Sequence, residues 1–244
     1  MGQMIELEAA DGVAEAYLAG QQGEPAVLFY IDAIGLRPQI EEMAERIASW
    51  GYVVLAPNVF YRKGTAAELA PQGDLRQAGA REEFFASMGD RVPSYTPDLS
   101  GRDAERWVPA LRERAGAGPI GLTGYCMGAR LAVRTAAQFT GTVAAVGGFH
   151  GGGLVTDAED SPHLSLAAST ADYVFGHADN DPGMTPDNVA SLEEALVSAG
   201  RPHLNAIYPD APHGYSMADT SMYQEAGAER HFAELEALFA RTLR

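Results

Sequence analysis

The stretch Ile120-Gly121-Leu122-Thr123-Gly124-Tyr125-Cys126-Met127-Gly128 passes from an apolar, strand-like segment into a helix-like one, and the sole cysteine of the chain sits at the junction. The pattern around it is G-x-C-x-G, a nucleophile elbow with sulfur in place of the usual serine oxygen. The flanking glycines meet a mechanical need. Such a turn is tight and strained, and neighbours without a Cβ let strand and helix approach closely. A sulfur held there stands above a helix N-terminus, whose unpaired N–H groups and dipole favour negative charge. The alternative is a small buried side chain with no chemistry, the commoner fate of a lone cysteine, although the motif itself favours the nucleophile. The rest of the chain has to separate the two readings.

Outward from the elbow, short apolar runs recur at 26–31, 52–56, 120–125, 143–148, 173–176 and 204–208. Helical patterns lie between and after them at 38–49, 104–115, 128–139, 186–199 and 225–243, with Gly51 and Gly200 placed as C-terminal stops. The opening segment alternates from 4 to 8 and again from 14 to 18 around Asp11-Gly12, which predicts a β-hairpin. Uninterrupted apolar runs suit a parallel sheet covered on both faces, so the expected fold class is α/β, doubly wound and mostly parallel, with helices on both faces. A single domain over 1–244 is expected. One irregular excursion at about 61–98 departs from the rhythm, mixing charge, glycine, proline and the pair Phe84-Phe85. It reads either as a cap over a substrate pocket or as a surface insertion.

A net charge of −16 repels phosphate backbones and anionic lipid, and the 17 Lys and Arg residues form no basic run, so neither nucleic acid nor membrane is an expected partner. One cysteine allows no internal disulfide, which suits a reducing compartment. The N-terminus lacks the basic start and apolar stretch of a secretory signal, so the expected location is cytoplasmic. No C-x-x-C or H-E-x-x-H pattern occurs, and neither metal nor cofactor is expected. The spacing of His177, Asp179 and Asp181 gives a poor metal reading, because alternate residues on a turn seldom converge. Oligomeric state is not legible.

A thiol at an elbow needs a base and a group to orient that base, which in doubly wound hydrolases follow in the order nucleophile, acid, histidine. Asp179 stands just beyond the run 173–176, where an orienting carboxylate belongs, although a turn or N-cap role explains it too. His213 follows the run 204–208 within Pro212-His213-Gly214-Tyr215. Of the other histidines, His231 falls inside the terminal helix, His203 precedes its strand, and His163 lies in a connecting segment. His150 and His177 each sit near a strand's carboxyl end, and His150 either lines the pocket or packs on the nearby glycines. The expected triad is Cys126, Asp179 and His213.

With these pieces in order, the chain resembles the dienelactone hydrolase family, a group of the α/β-hydrolase fold with a cysteine nucleophile. The likeness is carried by Gly124-Tyr125-Cys126-Met127-Gly128, Gly176-His177-Ala178-Asp179, Pro212-His213-Gly214-Tyr215 and Asp32-Ala33-Ile34-Gly35-Leu36. The resemblance implies hydrolysis of a small ester or lactone through an acyl-thioenzyme, with Cys126 as nucleophile, His213 as base and Asp179 as its acid. It also implies an oxyanion hole made by the backbone N–H groups of Ala33 and Met127. Asp32, Tyr125, Phe149, His150 and Tyr215 are expected around the substrate. Two positions depart from the family pattern. Asp32 stands where members commonly carry a glutamate that contacts the thiol, and Gly214-Tyr215-Ser216-Met217 follows the histidine where an arginine commonly grips a substrate carboxylate. Arg37, Arg62 and Arg81 are alternative cations for that task, or surface ion-pair partners. The competing functional class is a catalytically lapsed scaffold that binds a small molecule or answers oxidants through its thiol. No second cysteine is present to resolve an oxidised one.

Overall fold

The chain opens with strands β1 (Gln3–Ala9) and β2 (Gly12–Ala19), an antiparallel hairpin turning on Ala10 and Asp11. In the computed structural model, which describes residues 2–244, β2 then pairs antiparallel with β4 (Val53–Pro57), while β3 (Ala26–Tyr30) pairs parallel with β4 on one side. Every residue of β3 and β4 is buried. That is the physical reason for their unbroken apolar composition: a central parallel strand is covered above and below, so no position can be polar without losing its solvation. On the other side of β3 follow, all parallel, β5 (Ile120–Tyr125), β6 (Val143–Phe149), β7 (Asp172–His177) and β8 (His203–Ile207). The order across the eight strands is β1-β2-β4-β3-β5-β6-β7-β8. The sheet is therefore α/β and mostly parallel, as expected from the sequence.

Helix α1 (Pro38–Ala48) crosses from β3 to β4, and the excursion then contributes the short α2 (Ala66–Leu69) and α3 (Ala80–Ser87) before α4 (Pro97–Arg112). Helix α5 (Met127–Gln138) follows β5, α6 (Pro186–Ser198) follows β7, and α7 (Glu225–Thr242) closes the chain. Helices α1 and α7 cover one face, joined by Arg46 to Glu229 and by Trp50 edge-on to Phe232; α4, α5 and α6 cover the other. Among the described residues no helix is long and apolar enough to cross a membrane.

Helix α4 begins seven residues earlier than the pattern 104–115 suggested. Thr96 caps it by accepting the Leu99 N–H, Pro97 occupies the first turn, and the polar start is retained because Asp103 is wholly buried under Arg62, Tyr61 and Tyr95. A helix face that hides a bonded carboxylate shows no apolar period. The sheet's carboxyl edge collects the loops after β3, β5, β6, β7 and β8, and the order of strands doubles back beside β3, so these loops border a crevice.

Candidate active site

Cys126 follows β5 directly with φ 54° and ψ −119°, a conformation an L residue adopts only when its surroundings impose it. Those surroundings are the close approach of strand and helix. A Cβ on Gly124 would lie 2.2 Å from the Gly128 carbonyl oxygen, and one on Gly128 would lie 2.4 Å from that of Tyr30. Both contacts are with backbone, so neither can be relieved by a rotamer change. Gly124→Ala and Gly128→Ala are each expected to destabilise the protein by about 1–3 kcal/mol through overpacking, measurable as a lower urea midpoint with unchanged slope. The Cys126 N–H donates to the Phe149 carbonyl at 3.0 Å, which fixes the elbow against the neighbouring strand.

The Cys126 Sγ stands 3.1 Å from His213 Nε2, and His213 Nδ1 stands 2.6 Å from Asp181 Oδ2. The acid facing the histidine is thus Asp181, and the expectation for Asp179 is corrected. Asn180 between them is left-handed (φ 54°), which turns the chain so that the two carboxylates point apart. Asp179 accepts the Asp210 N–H at 3.0 Å and ties the loop after β7 to the loop after β8. Asp181 is buried, and its second oxygen accepts the Gly183 N–H at 2.8 Å. Burial works to raise its pKa, but the bond and charge of His213 and the Gly183 donor outweigh that and hold it below the usual carboxylate range. His213 is likewise opposed by burial, yet Asp181 and the sulfur push it up to about 10. Its side chain keeps 26% exposure, so water reaches the ring.

A narrow crevice meets this array. It is lined by Ala33, Arg81, Phe85, His150 and Met217 among others, and holds about 20 Å³ of space for water-sized molecules, roughly one water. The excursion supplies Arg81 and Phe85 from α3, so it caps the site. Asp32 and His150 border the crevice, whereas Tyr125, Phe149 and Tyr215 do not. These three are fully buried beneath it: Tyr125 stacks on Phe29 and bonds His231 Nε2 at 3.2 Å, Phe149 packs on Tyr125 and His231, and the Tyr215 hydroxyl donates to the Gly176 carbonyl at 3.0 Å. Aromatic rings this large are retained under the site as packing. His150 bonds Ser216 Oγ at 2.8 Å and meets the His213 ring edge-to-face, while burial, with His213 and His231 nearby, holds its pKa well below the ordinary histidine value. It is a neutral wall. His177 bonds Asn205 at 2.6 Å, so His177, Asp179 and Asp181 address three different partners.

The loop after β3 is held from within. Asp32 accepts the Ile34 and Gly35 N–H groups at 3.1 and 3.3 Å and pairs with Arg37 at 2.7 Å, and Arg37 in turn reaches Asp219 at 2.6 Å. Burial opposes the charge on Arg37, but Asp32 and Asp219 outweigh it and raise its pKa. Asp32 has no bond to the sulfur; its oxygens are committed to the turn and to Arg37. From the excursion, Arg91 donates to the Ile34 carbonyl at 3.2 Å. So held, the buried Ala33 presents an N–H that, like that of the buried Met127, has no acceptor among the described residues. Of the three cations considered from sequence, Arg37 is consumed here and Arg62 by Asp11 and Asp103. Arg81 alone of the three lines the crevice, over the Phe85 ring at 4.6 Å and only 4.0 Å from Glu82.

Comparison with known proteins gives a consistent result. A sequence model described as the dienelactone hydrolase family matches residues 14–243. A carboxymethylenebutenolidase of Rhodococcus opacus is 26% identical over 206 residues, covering 84% of this chain and 75% of that protein. Among solved structures, the dienelactone hydrolase-like promiscuous phosphotriesterase P91 from metagenomic libraries superposes with a TM-score of 0.76 at 16% identity, covering 100% of this chain and 99% of the other. A dienelactone hydrolase from Anabaena variabilis gives 0.67 at 18% identity, with coverage of 100% and 99%. At such identities the structural likeness speaks for the fold.

Proposed function

Because the chain belongs to the dienelactone hydrolase family, we propose that it hydrolyses small carboxylic esters or lactones through an acyl-thioenzyme on Cys126. The observation that carries this reading is the continuous contact from Cys126 to His213 to Asp181. With its pKa pushed up to about 10, His213 is a strong enough base to take the Cys126 proton as the sulfur attacks the substrate carbonyl. The negative oxygen that forms is received by the unpaired N–H groups of Ala33 and Met127. Imidazolium then gives its proton to the leaving alkoxide, and the neutral ring activates the water that cleaves the thioester. Asp181 holds the ring in the required tautomer throughout. Mass spectrometry after mixing with p-nitrophenyl acetate tests the scheme: one acetyl group is expected on the peptide bearing Cys126. Turnover without acetylation of that peptide would sink it.

The lining of the crevice refines the substrate. Arg81 offers a guanidinium to a carboxylate on the acyl portion, with Phe85 against its carbon skeleton. A charge-assisted bond of this kind contributes about 1.5–3 kcal/mol. Arg81→Gln is therefore expected to raise KM for esters bearing a free carboxylate by about 10-fold or more, and to leave neutral aryl esters nearly unchanged. Parallel steady-state kinetics on the two ester types checks it, and an equal loss on both would remove Arg81 from substrate recognition.

A further inference from the structure

Behind the nucleophile lies a cation that the proposed mechanism does not use. Arg130 stands one helical turn after Cys126 on α5, half-buried, with no acidic partner and no hydrogen-bond acceptor among the described residues. A guanidinium removed from water without a counter-charge is costly to keep, and burial lowers its pKa. In a chain with net charge −16, cations left unpaired in this way need a reason. Arg130 borders a cleft between α4, α5 and the segment after β6, separate from the crevice at Cys126, with about 310 Å³ of space for water-sized molecules.

Three other polar groups facing that cleft have hydrogens to give, whereas the Ser100 and Tyr95 hydroxyls donate to the Pro97 carbonyl and to Asp103. Arg134, one turn further along α5, lines it while binding the Asp160 carbonyl. Thr96 and Thr156 each accept a backbone N–H, from Leu99 and Ala158, so their hydroxyl hydrogens remain for another acceptor. The acid on the rim, Asp160, reaches Arg134 at 3.4 Å. Gly153 makes room for the guanidinium, since a Cβ there would lie 3.3 Å from the Arg130 terminal nitrogen. Its neighbour Gly152 faces the catalytic ring, with a Cβ position 3.8 Å from His213 Cε1. One backbone segment thus separates the imidazole from Arg130.

We propose that this cleft is a second ligand site, taking a small oxyanion, carboxylate or phosphate, through Arg130, Arg134, Thr96 and Thr156, and linked electrostatically to Cys126. An anion bound there neutralises the positive charge one turn behind the sulfur and so changes the electrostatic field in which the sulfur reacts. The site itself does not depend on ester turnover.

The test titrates the full-length protein with sodium phosphate in one arm and disodium succinate in another, at constant ionic strength, following thermal unfolding. A saturable rise in Tm with one or both anions is expected, and the arm that saturates identifies the ligand as phosphate or carboxylate. The rise should vanish in Arg130→Gln, persist in Arg130→Lys, weaken in Arg134→Gln and persist in Arg81→Gln. In the same solutions, saturating anion should slow alkylation of Cys126 by the neutral reagent iodoacetamide several-fold in wild type and not in Arg130→Gln. No saturable shift with either anion, or a shift that survives Arg130→Gln, overturns the site. Loss of the shift in Arg81→Gln instead would place the anion in the catalytic crevice and overturn it as well. An alkylation rate indifferent to the bound anion overturns the link to Cys126.

Discussion

Asp181→Asn is expected to lower kcat for aryl ester hydrolysis by about 10⁴-fold, the scale seen when the acid of a serine triad is made neutral and the histidine is left in the wrong tautomer. Asp179→Asn should keep nearly all activity and lose at most about 0.5–1.5 kcal/mol of stability, the contribution of one hydrogen bond. The contrast rests on geometry: Asp181 Oδ2 is 2.6 Å from His213 Nδ1, whereas Asp179 faces the Asp210 N–H at 3.0 Å. An independent readout is the titration of the His213 ring by NMR. Its pKa is pushed up to about 10 with Asp181 as the main favourable partner against burial, so it should fall in Asp181→Asn and stay high in Asp179→Asn. A variant pair with the reverse ranking would return the acid to Asp179.

This two-residue displacement marks where the sequence stopped being legible. Strand endings follow from apolar runs, so the placement of Cys126 and His213 after β5 and β8 could be read from periodicity and from the glycines at the elbow. Which residue of Asp179-Asn180-Asp181 turns inward depends on the dihedral angles of the loop. The signal was faint but present: asparagine tolerates the left-handed region, and the Pro182-Gly183 pair after Asp181 marks a turn closing on that carboxylate. The pocket was harder. Tyr125 and Phe149 directly precede Cys126 and His150, and neighbours on a strand or tight turn point opposite ways, so both fall into the core; Tyr215, two residues after His213, is drawn there too, with its hydroxyl on the Gly176 carbonyl. Arg81 and Phe85 lie on a short helix within an excursion that carries no regular period, and only the folded chain brings α3 over the crevice. Asp32 shows a third kind of failure. Its loop position was plain, but its carboxylate is claimed by Arg37, whose side chain is only 3% exposed, and a buried pair of that sort leaves no trace in residue spacing.

Cys126→Ala should abolish turnover more completely than any other single change, by about 10⁵–10⁶-fold in kcat, because removing a nucleophile costs nearly as much as removing its whole triad. The residual rate is expected from the proposed Ala33 and Met127 donors, which would act without the sulfur; such donors are worth about 3 kcal/mol each. The variant should fold normally. The elbow's strained φ of 54° is imposed by the approach of Gly124 and Gly128 and by the bond from the Cys126 N–H to Phe149, none of which involves the side chain. Circular dichroism and the urea midpoint should therefore match wild type, and the His213 pKa should fall because one of the partners that raises it has gone. Cys126→Ser separates two contributions to the rate. It restores a nucleophilic atom at the same place but an oxygen whose proton is held far more tightly, so an intermediate rate without iodoacetamide sensitivity is expected. Rapid-mixing kinetics with p-nitrophenyl acetate reads all of this at once: a burst for wild type, none for alanine. Hydrolysis by the alanine variant at even a hundredth of the wild-type rate, a loss of only about 2.7 kcal/mol, would mean that the ester is cleaved by water held at His213 and that no acyl-thioenzyme lies on the path.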